Sequence, residues 1–171
     1  MRRRRSNIHP AAGEPRASRR IHREGSGRAT FRRRGKLEDP TGCPRCGACY
    51  RNGRWTWRRA PARAARALCT ACERIEADYP DGYVDVRGSF AGSRREEILQ
   101  LARHVEERER REHPLKRLMP IREIDGGFRI PVTDRKLARA IGRSLERAYR
   151  GKLEQPRVDD ESLLRVGWRR D

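Results

Sequence analysis

Long apolar runs are missing from this 171-residue chain, and the residues that usually fill a core are scarce, since Leu, Ile, Val and Phe together number only 28. No stretch approaches the roughly 18 apolar residues that mark a membrane-crossing helix. The arginines of Met1–Ile8 lead into no apolar segment of the kind a secretory leader carries. The expectation is a cytoplasmic chain with no membrane partner. Histidine is also sparse: His9, His22, His104 and His113 are scattered, and none has an acid or thiol at ligand or triad spacing. No GxGxxG, Walker loop, HExxH or GxSxG occurs. An enzyme is not expected, and no small-molecule substrate is predicted.

What the chain has in abundance is positive charge. Lys and Arg number 43 against 24 Asp and Glu, a formal charge of +19. Few large apolar residues with so high a charge is the composition of chains that cannot bury enough surface to offset backbone entropy. The excess is uneven. Residues 1–36 hold 12 Arg and Lys36 against Glu14 and Glu24, with only Ile8, Ile21 and Phe31 from the main core types and no helical or strand period. This stretch is predicted to be a disordered basic arm, with Arg32, Arg33 and Arg34 among its candidate nucleic-acid contacts. Such an arm attracts polyanions, because each phosphate it neutralises releases condensed counterions. The preference for Arg over Lys carries little weight, since a GC-rich coding sequence would produce it.

Five cysteines lie between positions 43 and 72, an odd number and too clustered for a secreted disulfide framework. Cys43-Pro-Arg-Cys46 and Cys69-Thr-Ala-Cys72 form two CxxC knuckles. A knuckle sets two thiolates on one side of a tight turn, and two knuckles supply the tetrahedral sulfur set of a closed structural Zn²⁺ site. Cys43, Cys46, Cys69 and Cys72 are the assigned ligands. Cys49 also stands at CxxC spacing from Cys46, and a redox pair or an iron–sulfur cluster would use similar spacing. Between the knuckles, Asn52-Gly53 is a two-residue hairpin turn, so 48–51 and 54–57 are expected to be the arms of a short ribbon over residues 37–80. A closed four-thiolate site leaves no open coordination position, and its role would be to supply folding free energy.

Basic and aromatic residues interleave here. Arg51, Arg54, Arg58, Arg59, Arg63 and Arg66 are candidate phosphate contacts, and Trp55 and Trp57 are candidates for base stacking. The tryptophans stand two apart on one strand face, which equally suits packing near the metal core.

From residue 81 the pattern changes. Tyr83–Val86 alternates as a strand, Ser93 and Glu96 make a capping box before a helix over about 93–112, and 118–124 with 128–132 read as a hairpin around Asp125-Gly126-Gly127. Asp134 can cap a second helix whose Leu137, Ala138, Ile141, Leu145 and Ala148 share a face, and Leu164, Val166 and Trp168 alternate as a last strand. The order β-α-β-β-α-β predicts an α+β, ferredoxin-like domain over 81–171, with helices on one side of an antiparallel sheet. The charged turn 106–112 reads as a solvated face.

Cys43-Pro-Arg-Cys46-Gly47, Gly53-Arg-Trp-Thr-Trp57, Leu68-Cys-Thr-Ala-Cys72 and Asp78-Tyr-Pro-Asp-Gly-Tyr83 resemble a family of small bacterial zinc-ribbon proteins. The likeness extends through His113-Pro-Leu115 and Thr133-Asp134 to Leu137-Ala-Arg-Ala-Ile-Gly142 and covers about 37–170. More distantly, the knuckles with Asp125-Gly126 and Leu137-Ala-Arg139 are similar to the amino-terminal part of the archaeal and eukaryotic adaptor that carries the large ribosomal subunit to export. That resemblance implies association with a ribosomal subunit, although the chain lacks the adaptor's remaining domains. The leading expectation is a non-enzymatic, zinc-stabilised RNA-binding protein. A DNA-binding regulator and a protein–protein adaptor are the alternatives.

Overall fold

The computed structural model describes residues 35–156 and 163–171, so the arm, including Arg32, Arg33 and Arg34, lies almost wholly outside the described residues. The described residues belong to one compact unit that holds two sheets. The first has four short strands, β1 (Thr41–Gly42), β2 (Cys49–Arg51), β3 (Arg54–Thr56) and β4 (Ala65–Arg66), in the order β3-β2-β1-β4. Helix α1 (Thr70–Glu76) follows it. The second sheet comprises β5 (Gly82–Arg87), β6 (Arg122–Ile124), β7 (Gly127–Val132), β8 (Lys152–Glu154) and β9 (Leu164–Arg169), in the order β6-β7-β5-β9-β8. Helices α2 (Ser89–Ser93), α3 (Arg95–Glu112) and α4 (Arg135–Tyr149) complete an α+β architecture.

Period-two alternation builds the larger sheet. Val84 and Val86 of β5, Phe128, Ile130 and Val132 of β7, and Leu164, Val166 and Trp168 of β9 are buried on one face. They meet Ile98, Leu99, Ala102 and Val105 of α3 and Leu137, Ala138, Ile141 and Leu145 of α4. The intervening residues, among them Arg87, Arg129, Arg165 and Arg169, share the opposite face. Asp134 caps α4 as its position implies, its carboxylate accepting the backbone N–H groups of Lys136 at 2.9 Å and Leu137 at 3.1 Å. Gly142 lets α4 approach the sheet. A Cβ there would stand 2.7 Å from Val166 Cγ1 and 2.9 Å from Leu153 Cδ1.

Three features depart from the sequence expectation. The sheet is mixed, not antiparallel, because β9 runs parallel to β5. The cause is β8, a three-residue strand with one apolar side chain, Leu153, too short to leave a periodic signal; it reverses the chain once more before β9. The long helix begins at Arg95 instead of 93, and Ser93 does not cap it, since its hydroxyl donates back to the carbonyl of Phe90 at 3.2 Å. Of the strand expected over 118–124 only β6 forms, with an isolated bridge between Leu118 and Val132. Pro120 interrupts it by offering no N–H to a ladder.

Candidate metal centre and basic surface

Each knuckle is shaped by its own backbone. In the first, Cys43 N–H donates to Ala48 O at 2.8 Å and Gly47 N–H donates to Cys43 O at 3.0 Å, closing the turn that sets Cys43 and Cys46 side by side. In the second, Cys69 stands at the N-cap of α1 and its sulfur accepts the N–H of Cys72 at 3.5 Å. The two meet where Cys69 N–H donates to Cys43 Sγ at 3.3 Å. The four sulfurs of Cys43, Cys46, Cys69 and Cys72 all lie within 4.8 Å of one another, and Cys46 Sγ and Cys69 Sγ are 3.7 Å apart. A metal bound to four thiolates at about 2.3 Å in a tetrahedron needs sulfurs about 3.8 Å apart. The cluster fits such an ion.

Cys49 stays out of this set. It is buried on β2, where its thiol faces the carbonyl of Tyr50 at 3.7 Å. All five cysteines are free thiols.

The thiols differ in how readily they ionise. Burial resists ionisation at Cys43, but N–H groups of Cys69, Cys46 and Arg45 aimed at its sulfur outweigh burial and bring the thiol down to about 7. Burial, reinforced by the charges of Cys43 and Cys46, pushes Cys72 up to about 11. Burial likewise raises Cys69, beside the other three sulfurs. Cys43 is thus the thiol of the three that ionises most readily, and a cation bound among the sulfurs would offset the burial and mutual repulsion that resist ionisation at Cys69 and Cys72.

Beyond the knuckles the predicted hairpin forms, with Asn52 at φ 50° and Gly53 at φ 79°, the left-handed pair that a type I′ turn requires. The turn is steadied by Asn52 N–H donating to an Asp39 carboxylate oxygen at 2.7 Å. Residues 51–66 contain six arginines and no Asp or Glu. Arg51, Arg54, Arg58, Arg59, Arg63 and Arg66 are all exposed, and none has an ion-pair partner among the described residues. Arginines elsewhere are commonly spoken for: Arg129 forks onto Asp85 at 2.6 and 2.8 Å, Arg95 reaches Glu123 at 2.6 Å, and Arg74 reaches Asp81 at 2.8 Å.

The two tryptophans part company. Trp55 is half-buried, packs against the cysteine cluster and tilts against Tyr50 at 5.6 Å between ring centroids. Trp57 is the one exposed large hydrophobic side chain among the described residues, at 37% exposure. Its indole N–H donates to the Arg110 carbonyl on α3 at 2.6 Å, and the guanidinium carbons of Arg110 and Arg117 lie 5.3 and 5.6 Å from its ring centroid. Arg110, Arg111 and Arg117 were not among the residues singled out by sequence. Nothing in the alternating charges of 106–112 distinguishes Arg110 or Arg111, Arg117 lies beyond that turn, and only the fold brings them to Trp57.

Two acids of that turn have structural partners. Glu106 accepts the Leu118 N–H at 2.9 Å and Glu109 accepts from Lys116 Nζ at 2.6 Å, tying the segment after α3 back onto the helix.

Comparison with protein-family models, with curated proteins and with solved structures finds no match to this chain. Among the described residues, no helix is long and apolar enough to cross a membrane.

Proposed function

We propose that this protein is a non-enzymatic, zinc-stabilised RNA-binding protein of the cytoplasm that docks on structured RNA, a ribosomal subunit being the candidate. In this reading residues 37–80 are a zinc ribbon, 81–171 a relative of ferredoxin-like domains with an added strand, and 1–36 an auxiliary basic arm. Cys43, Cys46, Cys69 and Cys72 would hold Zn²⁺, which closes the ribbon and supplies folding free energy. The observation that carries the proposal is the run of six exposed arginines, unpaired within the described residues, on the segment whose two ends the cysteine pairs draw together. Unpaired guanidiniums cost nothing to free from a partner and fork onto phosphate oxygens. The resemblance to the subunit-export adaptor supports the choice of ribosomal RNA.

The test is binding of zinc-loaded protein, stripped of nucleic acid, to purified ribosomal RNA over a salt series. Affinity is expected to fall as salt rises. The triple charge reversal Arg58→Glu, Arg59→Glu, Arg63→Glu is expected to weaken binding and to flatten the log–log salt slope by roughly 0.7 to 0.9 for each phosphate no longer neutralised. Binding that ignores salt, or a triple variant that binds as the parent does, contradicts the proposal. Equal or tighter binding to duplex DNA in the same buffer would reassign the protein to DNA.

A further inference from the structure

The six arginines explain attraction to phosphate but leave Trp57 unexplained. A tryptophan at 37% exposure is unusual in a chain that buries Trp168 to 1% and packs Trp55 on the cysteine cluster. Its surroundings are specific. Trp57 lines an open cleft of about 460 Å³ together with Glu107, Arg110 and Arg111 of α3. The bond from its indole N–H to the Arg110 carbonyl fixes the edge of the ring, so the ring is already oriented and loses little freedom when something is laid against it. Arg58 and Arg59, which follow it in sequence, and Arg111 across the cleft are exposed and have no carboxylate partner among the described residues. Arg117 is buried to 8% exposure beside the ring. Its Nε donates to Pro114 O at 3.0 Å, while its Nη2 is buried without an acceptor.

We infer that the Trp57 cleft is a stacking site for an unpaired nucleobase, so that the RNA this protein engages offers single-stranded nucleotides in a loop, bulge or end. The inference rests on the RNA-binding reading above and adds what is recognised. A pre-oriented ring with the Arg110 and Arg117 guanidiniums set over it keeps an exposed part on which a splayed-out base can stack, whereas the bases of a duplex are already stacked on one another and cannot reach it. The cleft selects a base over a phosphate at its centre. Glu107 is a carboxylate without an ion-pair partner among the described residues, which repels phosphate and accepts from the amino or imino N–H groups of a base. The flanking phosphates then fall to Arg58, Arg59 and Arg111.

The experiment uses the full chain, zinc-loaded and stripped of nucleic acid, with two probes at one salt concentration: a 12-nucleotide single-stranded RNA of mixed sequence and the same strand annealed to its complement. Trp57→Leu is expected to lower the ratio of single-strand to duplex affinity about tenfold, the scale of one base stack removed. Trp57→Phe, which keeps a ring but not the indole N–H, is expected to lose less. The single strand is also expected to quench the protein's tryptophan fluorescence, and that quenching should vanish in Trp57→Phe, where Trp55 and Trp168 remain as the background. This readout stands even if Trp57→Leu folds poorly. If Trp57 only latches α3, then Trp57→Phe is as damaged as Trp57→Leu, the affinity ratio is unchanged and quenching is absent, and the inference is overturned while RNA binding survives. If the parent protein binds neither RNA, the RNA-binding reading falls and this inference with it.

Discussion

The thiols make the sharpest demands of any single residues in the molecule. Cys69 sits where it accepts an N–H from Cys72 through its sulfur, donates its own N–H to Cys43 and lies 3.7 Å from Cys46, so it touches each of the other three. Cys69→Ser is expected to abolish stoichiometric zinc and to destabilise the folded chain by several kcal/mol, since the binding free energy of a structural zinc is folding free energy. Cys49→Ser, which alters a thiol outside the cluster, is expected to keep one zinc per chain. Metal analysis with thermal unfolding of both variants checks this, and full zinc retention in Cys69→Ser would show that the four-thiol assignment is mistaken. That Cys43, Cys46, Cys69 and Cys72 come together was legible in the sequence, because two CxxC pairs point to one shared cluster. The exclusion of Cys49 was less so. Spacing alone allowed a Cys46–Cys49 pair, and only the placement of Cys49 on β2 removes it.

At the scale of elements, α3 and α4 are held by different means. Helix α4 is held by close approach at Gly142 and by the cap at Asp134. Gly142→Ala is expected to cost about 1–3 kcal/mol, because its new methyl must displace the stiff Val166 side chain, and Asp134→Ala about 1 kcal/mol from two released N–H groups. Urea unfolding measures both. Helix α3 is tied to the segment beyond it by the Glu109–Lys116 pair, whose side chains are 25% and 12% exposed. The hydrogen bond from Lys116, followed by its charge, holds the Glu109 carboxyl below the usual range. A lowered carboxylate contributes stability that is full above its unfolded value of about 4.3 and is lost as pH falls through the lower folded value. Unfolding midpoints taken from pH 6 down to pH 2 should therefore drop less steeply in Glu109→Gln than in the parent. The same slope in both proteins would mean that the pair contributes nothing.

These elements also show where sequence reading stops. Strands β5, β7 and β9 and helix α4 announced themselves through periodicity and an Asp cap. Strand β8 did not, because three residues with one apolar side chain leave no period, and without β8 the direction of β9 comes out reversed. Ser93 is a similar case. Its spacing to Glu96 makes a capping box on paper, yet a short preceding helix offers the Phe90 carbonyl to its hydroxyl, and the nearer bond forms.

The described residues join a small sheet beside a four-cysteine cluster to a larger sheet with its own apolar core. The six arginines of 51–66, without an ion-pair partner among the described residues, could be read directly from the sequence as a run without acids, and the fold leaves all of them exposed. The cleft around Trp57 could not be read that way, since it assembles the residue after β3 and the far end of α3 across more than fifty positions. Charge placement is thus legible in the sequence, whereas the cleft beside it is a product of tertiary packing. On this account the arm adds affinity that fades with salt, while the folded part retains RNA binding without it. Removal of residues 1–34 is expected to lower affinity for RNA at low salt and to leave the preference for single strands intact, which comparative binding of the truncated and full chains would check.

The central claim, that a zinc-closed basic surface takes this protein to ribosomal RNA, is most directly tested by sedimenting the native protein from lysate through a density gradient at low and at moderate salt. The account predicts co-migration with one ribosomal subunit that weakens as salt rises and is reduced in the Arg58→Glu, Arg59→Glu, Arg63→Glu variant. Retention in the light fractions at both salts, or co-migration that the triple variant shares, would contradict it.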